Sequence, residues 1–315
     1  MSSESQVKDV LGENKEDWPE VAIIVLNWNN YEDTAECLES LEDVEYPNYE
    51  VIVVDNGSTD GSGEKLKEEF GWCEFIFNEE NLGFAAGNNV GVKKALSKEA
   101  NHVLLLNNDI IVDDNFLSPL VKSAEKQETI SAISGLIYNP HGNLWYCGGE
   151  VISHLAKAKK SDCETIKNTE YRTEYVTGAM VLIPKDTLLE VGLLNESYFF
   201  GMEDVEISYK IISMGGDIII NPKSTVVHKV SATSGIQNQF SYYNATKNRL
   251  HFAKTILPLY EKLLFYPFFL ITRSFRFIQW SYKFRIDLIL SVLLGIVDHI
   301  RQRDKLPEDF PGSLK

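Results

Sequence analysis

Four short apolar runs constrain this chain more than any other feature of its sequence. They are VAIIVLN (Val21 to Asn27), EVIVVDN (Glu50 to Asn56), FIFN (Phe75 to Asn78) and HVLLLNND (His102 to Asp109). Each is rich in Val, Ile or Leu on consecutive positions, so both faces of the strand must be buried. Helical patterns separate them, from about Asp33 to Leu41, from a Ser62 N-cap onward, and from Ala85 to Leu96. Strand and helix alternating at this spacing predict an open parallel sheet covered on both faces. Beyond about residue 130 the alternation weakens. AISGLIY, the segment around LWYCGGEV, and YVTGAMVLIPK read as strands broken by Gly and Pro. Asp204 to Met214 has helical spacing. DIIIN and STVVHKV read as two strands joined by an Asn-Pro-Lys turn. The expected fold class is therefore α/β: a mixed sheet, parallel in its N-terminal half, with a helical tail. The expected organisation is a disordered arm at 1–18, a main domain at 19–254 with halves 19–125 and 126–254, and a tail at 255–315.

Ligands of an open parallel sheet bind beyond the carboxyl ends of its strands. All four strand ends here are polar. Strand one runs into Asn27, Asn29 and Asn30; strand two into Asp55, Asn56, Ser58 and Asp60. Strand three leads to Asn81, Gly83, Phe84, Gly87 and Asn88, and strand four ends in Asn107, Asn108 and Asp109. A loop preference of Asn, Asp and Gly explains any one of these clusters. It does not explain four clusters placed where one ligand would sit. Asp55 can accept hydrogen bonds from a base or ribose, and Gly83 and Gly87 permit close backbone approach. Neither a G-x-G-x-x-G turn nor a G-x-x-x-x-G-K-[ST] loop is present, which excludes the common dinucleotide and P-loop readings.

The 46 acidic against 30 basic residues leave a net charge of −16, which disfavours a nucleic-acid partner. The charge is uneven: residues 247–303 hold ten Lys/Arg and three Asp/Glu. Fourteen of the 35 aromatic residues fall between Phe240 and Phe284. LLFYPFFLIT and LILSVLLGIV are too short to span a bilayer, and Pro258 and Pro267 interrupt the first. A buried helical subdomain is one reading. The basic and aromatic surplus favours the other, helices lying peripherally on a membrane with Arg273, Arg276, Lys283 and Arg285 at headgroup level. Cys37, Cys73, Cys147 and Cys163 stand far apart and read as reduced thiols. The polar, acidic N-terminus lacks the features of a signal peptide, so a cytoplasmic protein is expected.

VAIIVLNWNN, VIVVDNGSTDGS, ENLGFAAGNN and LLLNNDIIV closely resemble glycosyltransferase family 2, the inverting transferases of GT-A fold, and most of all their rhamnosyltransferase-like branch. FFGMEDVEISYKI, His228 and YYNATKNRL extend the resemblance over about residues 20–255. It implies a nucleotide-diphosphate sugar donor (a dTDP- or UDP-sugar, rhamnose among them), a glycan or lipid-linked acceptor, and Mg²⁺ or Mn²⁺. Asn27, Asn29, Asp55, Asn56, Ser58, Asn81, Gly83, Phe84, Gly87, Asn88, Asn107 and Asn108 would line the donor. Asp109 resembles the last residue of the D-x-D element and would hold the metal, though Asn107 replaces the first Asp. His228 at a strand end would join the metal or the diphosphate. Asp204 of the E-D pair would be the general base, with Glu203 positioning it or the acceptor. Gly178 would lie in a small-residue strand beside the acceptor. Lys247 and Arg249 would meet phosphate or a lipid headgroup, with Lys247 where the related pattern often has Arg. Two rivals carry less. A sugar-phosphate nucleotidyltransferase needs a Gly-rich basic loop that is missing here, and a silent binding scaffold leaves the intact Asp55, Asp109 and Asp204 unexplained.

Overall fold

The computed structural model of the protein describes residues 18–163, 168–229 and 239–303. The expected N-terminal arm and the last part of the tail lie outside the described residues, apart from Trp18 at the arm's end. The N-terminal half runs β1 (Val21–Asn27), α1 (Tyr31–Glu42), β2 (Tyr49–Asp55), α2 (Ser62–Glu69), β3 (Glu74–Phe77), α3 (Phe84–Ser97) and β4 (His102–Asn107). Strand β1 pairs in parallel with β2 and β4, and β2 with β3. The register sets Asn27 opposite Asp55, and Leu26 opposite Asn107, so three polar ends finish level with one another.

The chain continues through β5 (Ile110–Val112), α4 (Leu117–Ala124), β6 (Ser131–Tyr138), β7 (Leu144–Tyr146), β8 (Gly149–Ile152), β9 (Lys157–Lys160), β10 (Tyr171–Thr173), β11 (Met180–Pro184), α5 (Lys185–Val191), α6 (Glu203–Ser213) and β12 (Asp217–His228). Strand β11 enters antiparallel between β4 and β6, so one ten-stranded mixed sheet of order β10-β12-β6-β11-β4-β1-β2-β3 results, with β5 on β12 and β7 on β6. Strands β8 and β9 form a separate hairpin. The period of two along β1 sorts its side chains onto two cores. Val21, Ile23 and Val25 pack with Leu38 and Leu41 of α1. Ala22 and Ile24 pack with Val92 of α3 and Ile207 and Ile211 of α6 on the other face.

Several local expectations are corrected. The two strands around the Asn-Pro-Lys segment are one, β12, whose register against β6 slips between Ile220 and Thr225, where Pro222 sits. Proline is tolerated at such an irregularity because no regular ladder bond is lost. Gly61, not Ser62, caps α2, in a left-handed conformation; the Ser62 hydroxyl is taken up by Asn27 instead. Thr177 to Ala179 precede β11, with a turn at Gly178 and Ala179, and do not belong to a strand. Cys147 and Cys163 are joined as a disulfide, while Cys37 and Cys73 are free and buried. The pairing arises because the β8–β9 hairpin returns the chain beside its start, where the Ser161 N–H donates to Gly148 O at 3.0 Å. This overturns the reading of four reduced thiols, and with it the support they lent to a reducing compartment.

Three helices complete the described residues: α7 (Gln239–Thr255), α8 (Leu259–Tyr282) and α9 (Ile286–Arg301). Pro258 precedes α8 as its cap, and Pro267 lies inside the helix without ending it. Phe265, Phe269 and Trp280 of α8 face inward, whereas Leu263, Leu270, Ile271, Phe275 and Ile278 are exposed. No described helix is long and apolar enough to cross a membrane.

Candidate active site

The ends of β1 and β2 form a cross-braced floor. Asn27 is fully buried, and its amide donates to Asp55 Oδ1 at 2.7 Å, Ser58 Oγ at 3.2 Å and Ser62 Oγ at 3.1 Å. Its carbonyl oxygen accepts from Thr34 Oγ1 at 2.9 Å. Asn27 therefore orients Asp55 and spends its own polar atoms doing so. Ser58 closes the loop, its N–H donating to Asp55 Oδ2 at 3.0 Å and its hydroxyl to Oδ1 at 2.6 Å. Asn29, with φ of 48°, accepts from the Thr59 N–H at 2.8 Å.

The β3–α3 loop is fastened by Asn56. Its amide donates to Asn81 Oδ1 at 2.9 Å and Gly83 O at 3.2 Å; its carbonyl accepts from Asn78 and Leu82. Gly83 adopts φ of 85°, and a Cβ there would stand 2.5 Å from Phe199 O. The same Phe199 carbonyl accepts the Phe84 N–H at 2.8 Å, so this loop is locked to the segment that precedes α6. Gly87 lets α3 press on Asn56 and Leu26. Asn88 turns back to Phe84 O at 2.9 Å. Asn107 ends β4 with its N–H on Ala179 O, and Asn108 donates to Thr34 Oγ1 at 2.7 Å.

Asp109 and His228 are distant in sequence and adjacent in space. Strands β5 and β12 pair antiparallel, which brings His228 Nε2 to 2.9 Å from Asp109 Oδ1. Both residues are buried. The Trp145 ring stands edge-on to His228 with centroids 4.6 Å apart, and Lys160 Nζ lies 2.9 Å from the centre of the Trp145 ring. His228 Nδ1 is buried without a hydrogen-bond partner. Among the described residues there is no cluster of three His, Cys, Asp or Glu side chains that could hold a metal. Asp109 and the facing His228 Nε2 are two groups that could hold a divalent cation, which would need its remaining ligands from outside this pair.

Glu203 and Asp204 begin α6, behind a turn in which Gly201 and Met202 both have positive φ, 83° and 85°. The Asn248 amide of α7 pins this turn, donating to Phe200 O at 3.0 Å and Gly201 O at 2.7 Å. Asp204 accepts hydrogen bonds from the Tyr175 hydroxyl, the Gly178 N–H at 3.4 Å and the Val205 N–H at 2.8 Å. Burial raises the Asp204 carboxyl above its ordinary range, while these donors pull it back. Glu203 is raised more plainly, by burial and by the neighbouring Asp204 charge, and its Oε2 is buried without a partner. The pair overlooks a hollow lined by Phe84, Val176, Gly178 and Ile207. Lys160 feels the same carboxylate: burial lowers its amine to about 8, and attraction to Asp204 opposes that fall.

Of the residues singled out in the sequence, the donor-side set, Asp109 with His228, and Gly178 with Asp204 thus form linked clusters around the strand ends. Lys247 and Arg249 lie on α7. Lys247 is buried on α7, its backbone N close against Gly295 of α9. Arg249 Nη2 donates to Leu155 O at 2.6 Å, beyond the β8 strand. Tyr175, Trp145, Lys160 and Asn248 belong to the site and were not anticipated. Only Asn248 had a signal, standing inside YYNATKNRL between two residues that drew attention by their charge.

An open sheet of this order, with acidic residues at its strand ends and a carboxylate pair across the cleft, defines a glycosyltransferase of GT-A architecture. The profile of Glycosyl transferase family 2 matches residues 22–184, and the chain belongs to that family. It is 21% identical to the low-salt glycan biosynthesis hexosyltransferase Agl10 of Haloferax volcanii, over 92% of this chain and 94% of that one. It is 20% identical to the N-acetylglucosaminyl-diphospho-decaprenol L-rhamnosyltransferase of Mycobacterium tuberculosis, over 59% and 68%. Several other curated relatives are longer, the chain spanning 30% to 51% of their length. Among solved structures, the mannosyltransferase of Pyrobaculum calidifontis in complex with GDP-Man and Mn²⁺ superposes with a TM-score of 0.54 at 16% identity, over 95% and 94% of the two chains. The protein is thus a hexosyltransferase that uses a nucleotide sugar.

Proposed function

We propose that the enzyme transfers a hexosyl unit with inversion from a dTDP- or UDP-sugar, rhamnose among the candidates, to a glycan carried on a lipid. The observation that carries this reading is the half-buried Asp204, oriented by Tyr175, Gly178 and Val205 opposite the braced donor floor. Asp204 Oδ takes the proton of the acceptor hydroxyl as that oxygen attacks the anomeric carbon from the face opposite the diphosphate. Burial raises its pKa, which strengthens it as a proton acceptor. Glu203, whose carboxyl is pushed up by burial and by the Asp204 charge, positions the acceptor or Asp204. Asp55 receives the nucleoside, and Gly83 and Gly87 let the donor approach the backbone. Asp109 and His228 would hold Mg²⁺ or Mn²⁺, which when bound neutralises charge on the departing diphosphate. The M. tuberculosis relative acts on a sugar linked to diphospho-decaprenol, and the exposed apolar faces of α8 and α9 support peripheral contact of this chain with a membrane.

Asp204→Asn keeps the size of the side chain and removes the proton acceptor. Turnover should fall by about 10²–10⁴-fold while nucleotide-sugar affinity holds. Unchanged turnover, or a loss confined to donor binding, removes Asp204 from the role of base.

A further inference from the structure

Lys160 is a cation on the core-facing side of its strand. Side chains alternate along β9, so Lys157 and Lys159 share one face while Ala158 and Lys160 share the other. Lys159 pairs across the hairpin with Glu150, Nζ to Oε1 at 3.6 Å. Ala158 packs against the main core. Lys160 shares that face, is itself exposed, and forms no ion pair among the described residues. Its ammonium rests instead on an aromatic face, 2.9 Å from the centre of the Trp145 ring.

Contacts on two sides fix where that ammonium stands. Trp145 meets His228 edge-on, with ring centroids 4.6 Å apart, and His228 Nε2 lies 2.9 Å from Asp109 Oδ1. The ammonium is therefore no farther from the centre of the His228 ring than the two ring distances laid end to end. On the other side, Lys160 stands opposite Gly149 in the hairpin register, and a Cβ at Gly149 would meet the Tyr175 ring at 3.0 Å. Tyr175 donates to Asp204, and the Asp204 carboxylate attracts the Lys160 ammonium without pairing with it. One side chain thus joins the Asp109–His228 pair to the base. The Cys147–Cys163 bridge and the Ser161 N–H bond to Gly148 O hold the hairpin that carries it.

An aromatic face holds a cation without using its N–H donors, which stay available to an anion. Among the described residues no cluster of three His, Cys, Asp or Glu side chains could hold a metal. An ion with so few ligands from the chain depends on the diphosphate for the others, so a grip on the diphosphate that precedes the ion needs a positive charge from the protein itself. We propose that Lys160 is a donor-binding residue, whose ammonium, presented by the Trp145 ring, contacts the diphosphate of the nucleotide sugar independently of any metal. The same contact meets the charge that gathers on the diphosphate oxygen as its bond to the anomeric carbon breaks. The inference rests on the reading that the diphosphate lies beside Asp109 and His228.

The test is calorimetric titration of the full chain, in excess chelator, with UDP and dTDP and with uridine and thymidine, which lack the phosphates. Wild type should bind at least one nucleotide more tightly than its nucleoside. Lys160→Gln should weaken that nucleotide about tenfold, the loss of one charge-assisted contact, and leave the nucleoside unchanged. Lys160→Arg, which keeps the charge, should recover most of the affinity. Both variants should melt as wild type does, because the position is exposed. Equal nucleotide binding by wild type and Lys160→Gln overturns the proposal. So does a parallel loss of nucleoside binding, which would make the lysine a structural support of the cleft. Wild type that binds nucleotide no better than nucleoside without metal also overturns it. An Asp109→Ala variant that still responded to Mn²⁺ would strike the metal reading alone, since these titrations contain no metal.

Discussion

With Asp204 proposed as the base, Tyr175→Phe isolates the contact expected to tune its ionisation. The hydroxyl donates to Asp204 Oδ2, and this bond, with the Gly178 and Val205 N–H groups, opposes the upward push of burial on the carboxyl. Tyr175 remains a donor throughout, because burial and the Asp204 charge raise its phenol well above the ordinary value. Phenylalanine keeps the edge-on contact with the Tyr146 ring, 6.2 Å between centroids, so packing is preserved. A hydrogen bond to a charged group is worth about 1.5–3 kcal/mol, and a pKa unit corresponds to about 1.4 kcal/mol. The two remaining N–H donors and entering water recover part of the loss, so we expect the Asp204 pKa to rise by about one unit. A base works only when ionised. The acid limb of kcat/KM should therefore move to higher pH by that amount, with a loss of about tenfold on the acid side that vanishes at alkaline pH. Initial rates of nucleoside diphosphate release, taken from about pH 5 to about pH 9, give the profile. An unmoved acid limb, or one displaced to lower pH, would refute the assignment of Tyr175 as the donor that holds Asp204 ionised.

Asp109→Ala should abolish Mn²⁺-dependent donor binding and turnover while the thermal melt is retained; full activity in that variant, or in wild type under excess chelator, would exclude this carboxylate as a metal ligand. Cys163→Ser opens a bridge of sequence separation 16. It should cost about 3 kcal/mol of stability and lower Tm by several degrees, and a reductant should lower the Tm of wild type but not of the variant. Identical melts with and without reductant in wild type would show that the bridge does not contribute.

The parallel half of the sheet and most of the polar floor at its strand ends were legible in the amino-acid pattern. Buried parallel strands require unbroken apolar runs, and loops at their ends require Asn, Asp and Gly, so both signals are local and readable. What it could not determine depends on contacts between residues far apart in the chain. Strand β11 inserts antiparallel between β4 and β6, which places Gly178 against Phe84 and Asp204. His228 meets Asp109 only because β12 runs on through Pro222 to pair with β5. The hairpin of β8 and β9 brings Cys147 to Cys163 and sets Lys160 over Trp145, contacts that no spacing rule encodes. Asn27 was legible as a strand-end residue, yet its four hydrogen bonds inside the floor follow from which loops fold over it. Lys247 and Arg249 were read together, as residues that would meet phosphate or a lipid headgroup. A helix turns about 100° per residue, so positions two apart face different ways. The tertiary structure, by packing α8 beside α7, sets the Arg249 guanidinium against the Phe265 and Phe269 rings.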